Sequence, residues 1–311
     1  MTFVASFRAR LIRSITSRYI RGMDLHKAEV NLVRRRMDVI SRLARPARRV
    51  DIEETRVCDL KSEWLRPEGA RAGKVLLYLH GGAYVLGSCK SHRHLVSHIA
   101  RAGKINALLP EYRLAPEHPF PAGLDDCVAV YRSLLADGIA PKDIIVGGDS
   151  AGGGLTVALM LALRHAGDPL PRAGLLLSPF LDVTASGESA ESRLGQDPWF
   201  DPADIDILIN YYCGDSEIRN PLVSPVFANV AGLPPFFIQV GDDEILLSDA
   251  TRFADKMRDA GNEVAIEIWP EMWHVWQLFV GKMPEARQAI ARIGEFIDGT
   301  FAEGPPASPG K

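Results

Sequence analysis

From about residue 74 the chain alternates short, almost continuous apolar runs with amphipathic stretches, and that alternation leaves few folds open. The runs are KVLLYLH (74–80), INALLPEY (105–112), DIIVGG (143–148), AGLLLSP (173–179), PFFIQVG (235–241) and VAIEIWP (264–270). They are too short for core helices and lack polar alternation, so they read as strands buried on both faces. Helical stretches fall between them, near Ser91–Ala102, Gly123–Asp137, Ser150–His165, Ser248–Gly261 and Pro284–Phe296. The pattern predicts an α/β fold with a mostly parallel sheet flanked by helices. Upstream, VDIEETRV and DLKSEWLR alternate with polar residues, like an antiparallel edge pair. With 47% hydrophobic residues in 311, the chain has enough material for such a core. Sheets of this kind bind ligands outside the carboxyl ends of their strands, so the residues just after each strand are where chemistry is sought.

Two segments break the rhythm. Residues 184–228 are too long for an ordinary loop, and their DPADIDILINYY is helical in pattern, with Asp201 as N-cap and Pro202 at the first helical position. This reads as an insertion lying over the strand ends. Residues 1–49 carry thirteen Lys/Arg against three acids, Asp24, Glu29 and Asp38. Leu11, Ile12, Ile15, Tyr19 and Ile20 fit one helical face, as do Val30, Leu32, Val33, Met37 and Ile40. No apolar core of a signal peptide follows the basic residues, and two helices packed on the protein's own body are expected rather than membrane contact. No run is long and apolar enough to span a bilayer. A net charge of -3 gives no reason to expect a nucleic-acid partner. Cys58, Cys89, Cys127 and Cys213 form no CxxC pair, so neither a zinc site nor a disulfide framework is expected, only reduced thiols of a cytoplasmic protein.

The strand ends carry the chemistry. Gly148-Asp149-Ser150-Ala151-Gly152 fits GxSxG between an apolar strand and a helix, the context of a nucleophile elbow. The spacings of phosphate-binding and dinucleotide-binding turns are absent. LHGGAYVLGS (79–88) follows an earlier strand, and its backbone N–H groups, with that of Ala151, can stabilise an oxyanion. His80 itself is expected to order that loop. A serine nucleophile needs a base, and of eight histidines His274 in WPEMWHVWQLF follows the last strand. His92, His94 and His98 share SHRHLVSH, where a solvated helix face is expected rather than a metal site. An orienting acid should follow the preceding strand, and IQVGDDEILLSD offers Asp242, Asp243 and Glu244 there. The order Ser…acid…His is that of α/β-hydrolases, and periodicity leaves the choice of acid open.

These segments resemble the hormone-sensitive-lipase-like, bacterial family IV esterases of the α/β-hydrolase fold, and within them acetyl hydrolases and monoterpene ε-lactone hydrolases. The matching motifs are HGGAYVLGS (80–88), EYRLAPEHPFPA (111–122), GDSAGGG (148–154), SPFLDVT (178–184), VGDDEILLSD (240–249) and MWHVWQLF (272–279). The resemblance implies Ser150 as nucleophile, His274 as base and Asp243 as acid, with Asp242 the runner-up. It implies oxyanion donors at Gly82, Ala83 and Ala151, with Ala83 departing from the commoner HGGG. It implies no cofactor and no metal, a small-molecule ester or lactone as substrate, and a homodimer contact through VAIEIWP as in some members. It further implies N-terminal cap helices over residues 1–47 and a catalytic domain over 48–300 with a cap insertion at 184–220, while the Pro/Gly-rich AEGPPASPGK reads as part of a loose tail at 301–311.

Overall fold

A computed structural model describes residues 5–21, 29–199 and 202–302. Asp201, His26, residues 303–311 of the tail and the side chains of Tyr19 and Ile20 lie outside the described residues. Eight strands form one sheet: β1 (Val50–Val57), β2 (Leu60–Pro67), β3 (Val75–Leu79), β4 (Asn106–Pro110), β5 (Ile144–Asp149), β6 (Ala173–Leu177), β7 (Phe236–Gly241) and β8 (Val264–Trp269). Their order is β1-β2-β4-β3-β5-β6-β7-β8. β1 and β2 pair antiparallel in register Val57↔Leu60, and β2 runs antiparallel to β4. Every other neighbouring pair is parallel.

Each residue of β3, β5, β6 and β7 is buried, and their side chains divide by parity between two cores. Val75, Leu77 and Leu79 join one cluster with residues of α4 (Ala122–Ala136), α5 (Ala151–Ala166) and α8 (Leu247–Asp259). Leu76 and Tyr78 join the other, with residues of α3 (Cys89–Gly103) and α9 (Pro284–Phe301). A strand that alternates faces and meets helices on both is the physical reason its sequence reads as an unbroken apolar run.

α3 begins at a capping box: the Ser88 hydroxyl accepts from Ser91 N–H while the Ser91 hydroxyl accepts from Ser88 N–H. Its histidines correct the expectation of a solvated face. His92 and His94 are buried, His92 against Asp149 and His94 donating to the Arg45 carbonyl at 2.5 Å. Packing of α3 against both α9 and the sheet covers flanks that sequence periodicity left to solvent.

The N-terminal segment forms α1 (Phe7–Arg21) and α2 (Val30–Ser41); the insertion forms a short α6 (Ser189–Ser192) and α7 (Pro202–Cys213). α2 buries Val33 with Val85, Leu86 and Ala115, a cluster that Trp199 and Leu208 of the insertion also join. Among the described residues no helix is long and apolar enough to cross a membrane.

Candidate active site

The turn between β5 and α5 holds Ser150 in a backbone conformation few L-residues adopt, φ 52° and ψ -123°. Such a position stores roughly 1–3 kcal/mol and persists only where its surroundings fix it. Ser150 N–H donates to Leu177 O at 2.9 Å, and its carbonyl accepts from Phe180 N at 2.9 Å and Gly154 N at 3.1 Å. The turn also requires Gly152, because a Cβ there would sit 1.9 Å from the Leu79 carbonyl oxygen. Beneath it, the buried Asp149 carboxylate accepts from Tyr78 Oη (2.9 Å), Gly81 N (3.2 Å) and His92 Nε2 (3.3 Å). Burial opposes its charge, yet His92 and the Tyr78 hydrogen bond hold the carboxyl below its ordinary range. One buried side chain thus fastens the serine turn to the loop after β3.

That loop supplies donors. Gly82, Ala83 and Tyr84 are consecutive left-handed residues with φ 120°, 52° and 62°. Gly82 O accepts from both Val85 N and Leu86 N, and a Cβ on Gly82 would meet Leu86 O at 2.3 Å. Among the described residues no hydrogen bond engages the N–H groups of Gly82, Ala83 or Ala151. His80 is neutral, its pKa lowered to about 3 by burial and the neighbouring His92, and it donates from Nδ1 to Gly81 O. Ser150 and Ala83 line an apolar cleft whose opposite wall is α7, through Ile205, Leu208, Ile209 and Tyr212. Tyr84 stacks on Tyr212 with centroids 3.6 Å apart, joining the donor loop to that wall.

The acid and base come from the other side. After β7, Asp242 N–H donates to Trp269 O and Asp243 N–H to Met272 O, so this turn is stitched to the loop carrying His274. The stitching sends the first two acids outward. Asp242 faces Arg193 at 3.4 Å, and Asp243 pairs with Arg13 of α1 at 2.5 Å. Glu244 folds inward and is fully buried. Its Oε1 accepts from Gly241 N (2.6 Å) and Ser178 Oγ (2.7 Å), and its Oε2 lies 3.1 Å from His274 Nδ1. The implied pairing of Asp243 with His274 is therefore corrected: the side chain on the imidazole belongs to the next residue, because the longer glutamate reaches back to its own strand end. Asp242, the alternative, does not reach the imidazole either. Burial alone would lower the His274 pKa, but the Glu244 hydrogen bond and charge, with Asp197 and Asp149, raise it above the usual histidine value.

Three further contributors receive no role from the sequence pattern, although Ser178 opens the SPFLDVT motif. Ser178, just past β6, donates to Glu244 and accepts from Val275 N at 3.0 Å, while its neighbour Leu177 holds Ser150. Two residues at one strand end thus tie together the serine, acid and base segments. Asp197, from the insertion, accepts from His274 N (3.1 Å) and Trp199 N (2.9 Å), and burial raises its carboxyl pKa to about 7. Arg13 reaches past Asp243 to the Gln196 carbonyl. Donor atoms of Asp197, Glu244 and His274 lie within 4.8 Å of one another, close enough for a metal ion. Each is already engaged in the hydrogen bonds above, which suits an acid–base cluster better than a coordination site. Cys89 is inert in this setting: burial pushes its thiol pKa far up, and Sγ donates to Leu109 O.

The geometry has its counterparts among known proteins. A family model described as the alpha/beta hydrolase fold matches residues 76–278. An acetyl-hydrolase of Streptomyces hygroscopicus is 44% identical over 78% of this chain and 81% of its own length. An esterase of Acinetobacter venetianus is 35% identical over 95% of this chain and 98% of its own. The crystal structure of an esterase from the bacterial hormone-sensitive lipase family matches with a TM-score of 0.90 at 40% identity, covering 96% of this chain and 100% of that one. The chain belongs to the alpha/beta hydrolase fold family. Within it, it is a carboxylesterase of the hormone-sensitive-lipase type.

Proposed function

We propose that the chain hydrolyses small to medium acyl esters through an acyl-enzyme on Ser150, with His274 as base and Glu244 in place of Asp243 as the orienting acid. The observation that carries this reading is Ser150 itself, held at φ 52° on an apolar cleft beside three unengaged backbone N–H groups. Glu244 on Nδ1 favours the tautomer whose Nε2 is free of its proton, so Nε2 takes the proton of the Ser150 hydroxyl as Oγ attacks the ester carbonyl. The carbonyl oxygen becomes an oxyanion received by Gly82, Ala83 and Ala151 N–H. His274 then protonates the departing alkoxide, and water, deprotonated by the same imidazole, releases the acid and restores Ser150. The imidazolium formed in each half is stabilised by Glu244, whose buried charge needs no rearrangement to meet it.

The wall of the cleft favours uncharged acyl groups of limited length, because α7 sets aliphatic and aromatic side chains opposite the serine. Acetyl hydrolysis by the Streptomyces relative, as its name states, points the same way. The test is a p-nitrophenyl ester series from acetyl to palmitoyl, with Ser150→Ala beside the full-length protein. Activity peaking at short to medium chains and lost in the variant is expected. Activity retained by Ser150→Ala would refute the mechanism.

A further inference from the structure

α1 has two apolar faces, and only one of them is used. Ala9 and Thr16 are buried on its inner side, with Ile12 half-buried and Arg13 turned inward to Asp243. On the outer side Phe7, Leu11 and Ile15 recur every four residues and are 74%, 50% and 60% exposed. At about 100° per residue these three form one stripe. Exposed Arg8 and Arg10 flank it, and exposed Arg18 lies in line with it. The stripe is not a core residue set left slightly open, since the inner face already seals the helix against the body.

Charge says what the stripe fits. Residues 1–49 hold thirteen Lys/Arg and three Asp/Glu, whereas residues 50–311 hold 23 Lys/Arg and 36 Asp/Glu. The molecule is therefore strongly polarised, with its positive pole at the segment that exposes apolar side chains. α1 itself contains no acid at all. A two-fold contact with a second copy would set arginine against arginine, which opposes that occupant. Apolar side chains flanked by arginines instead match a surface that offers acyl chains below a layer of negative charge.

We propose that α1 is an interfacial docking helix that seats this protein on an anionic lipid bilayer. Phe7, Leu11 and Ile15 enter the headgroup boundary, and Arg8, Arg10 and Arg18 meet lipid phosphates. The helix lies in the interface and does not cross it, consistent with the absence of a spanning helix among the described residues. Sequence periodicity placed Leu11 and Ile15 on the same face as Ile12, and only the packed helix separates the outer pair from the inner residue.

The experiment is co-sedimentation of the full-length protein with phosphatidylcholine vesicles, with and without phosphatidylglycerol, for wild type and Leu11→Ser/Ile15→Ser. Hydrolysis of soluble p-nitrophenyl butyrate, unchanged in the variant, reports that it folds. Expected is binding to the anionic vesicles that falls at least about tenfold without phosphatidylglycerol, in high salt, or in the variant. Wild-type protein that stays in the supernatant with anionic vesicles overturns the proposal, as does equal binding by the variant. Size-exclusion chromatography supplies the remaining outcome. A wild-type dimer that the variant reduces to monomer would assign the stripe to a second copy and overturn the lipid assignment.

Discussion

The serine turn and the acid–base corner both stand at the carboxyl ends of strands in the same sheet, yet they are built in opposite ways. The serine turn is nearly self-contained: Asp149, Ser150, Ala151 and Gly152 are contiguous, and their conformation follows from a strand ending against a helix at close range. The acid–base corner is assembled from β6, β7, the loop after β8, the insertion and α1, through Ser178, Glu244, His274, Asp197 and Arg13. The serine turn stores strain at Ser150 and is fastened by the Asp149 carboxylate and by main-chain bonds to Leu177 and Phe180. The corner also carries left-handed residues, Ser178 at φ 46° and Val275 at φ 47°, but it is held together by many long-range bonds, so its chemistry is exposed to any change in how the insertion and N-terminal helix sit.

The largest effect should come from the self-contained region. Ser150→Ala should lower kcat/KM by a factor of about 10^4 or more, while Ser150→Gly should lose activity equally and raise stability by roughly 1 kcal/mol through relief of the positive φ. Thermal melts beside the activity assays check both. A Gly variant no more stable than wild type would break the claim that Ser150 stores strain.

In the assembled corner the losses should be graded. Ser178→Ala removes a donor to Glu244 and the acceptor of Val275 N, and kcat should fall by about 10- to 100-fold with little change in KM. Asp197→Asn should cost about tenfold in kcat and move the acidic limb of the kcat/KM profile to lower pH, because Asp197 ionises near pH 7, over the range in which His274 titrates, and the amide supplies no such charge. In wild type that limb should lie above the ordinary histidine value, since the base must be deprotonated and its pKa is raised.

Asp197 also makes a stability claim. Its folded-state pKa, about 7, exceeds its unfolded value, so the stability it contributes is present at low pH and is lost as pH rises through 7. The melting temperature of Asp197→Asn relative to wild type should therefore be higher at pH 8 than at pH 5. A difference independent of pH would contradict a buried carboxyl that ionises only near pH 7. Smallest of all, Arg13→Ala should change kcat/KM only a few-fold, because its partly exposed pair with Asp243 touches the turn and not the imidazole.

The same contrast explains what the sequence made legible. The serine turn and the loop after β3 were readable because their demands are local: glycine where a carbonyl approaches, backbone donors where side chains are absent. The sheet was readable because four central strands are buried on both faces and so carry no polar alternation. GDDE set three acids side by side, and family likeness selected the second. The choice depends on how the main chain of Asp242 and Asp243 bonds to the loop after β8, some 27 to 29 residues away, and no short-range pattern encodes that. Asp197 and Arg13 act across still longer separations, and their residue types are ordinary in a charged insertion and a basic helix. The histidines of α3 escape prediction for a related reason, since periodicity cannot tell that Asp149 lies against His92 and the Arg45 carbonyl against His94.

The most direct test sets Glu244→Gln against Asp243→Asn, measuring kcat/KM for p-nitrophenyl butyrate across pH 5 to 9. A loss of about 10^3- to 10^4-fold in Glu244→Gln, with less than about tenfold in Asp243→Asn, is expected if the assembled corner works as its hydrogen bonds indicate. The reverse order, with Asp243→Asn the damaging change, would contradict the account at its centre.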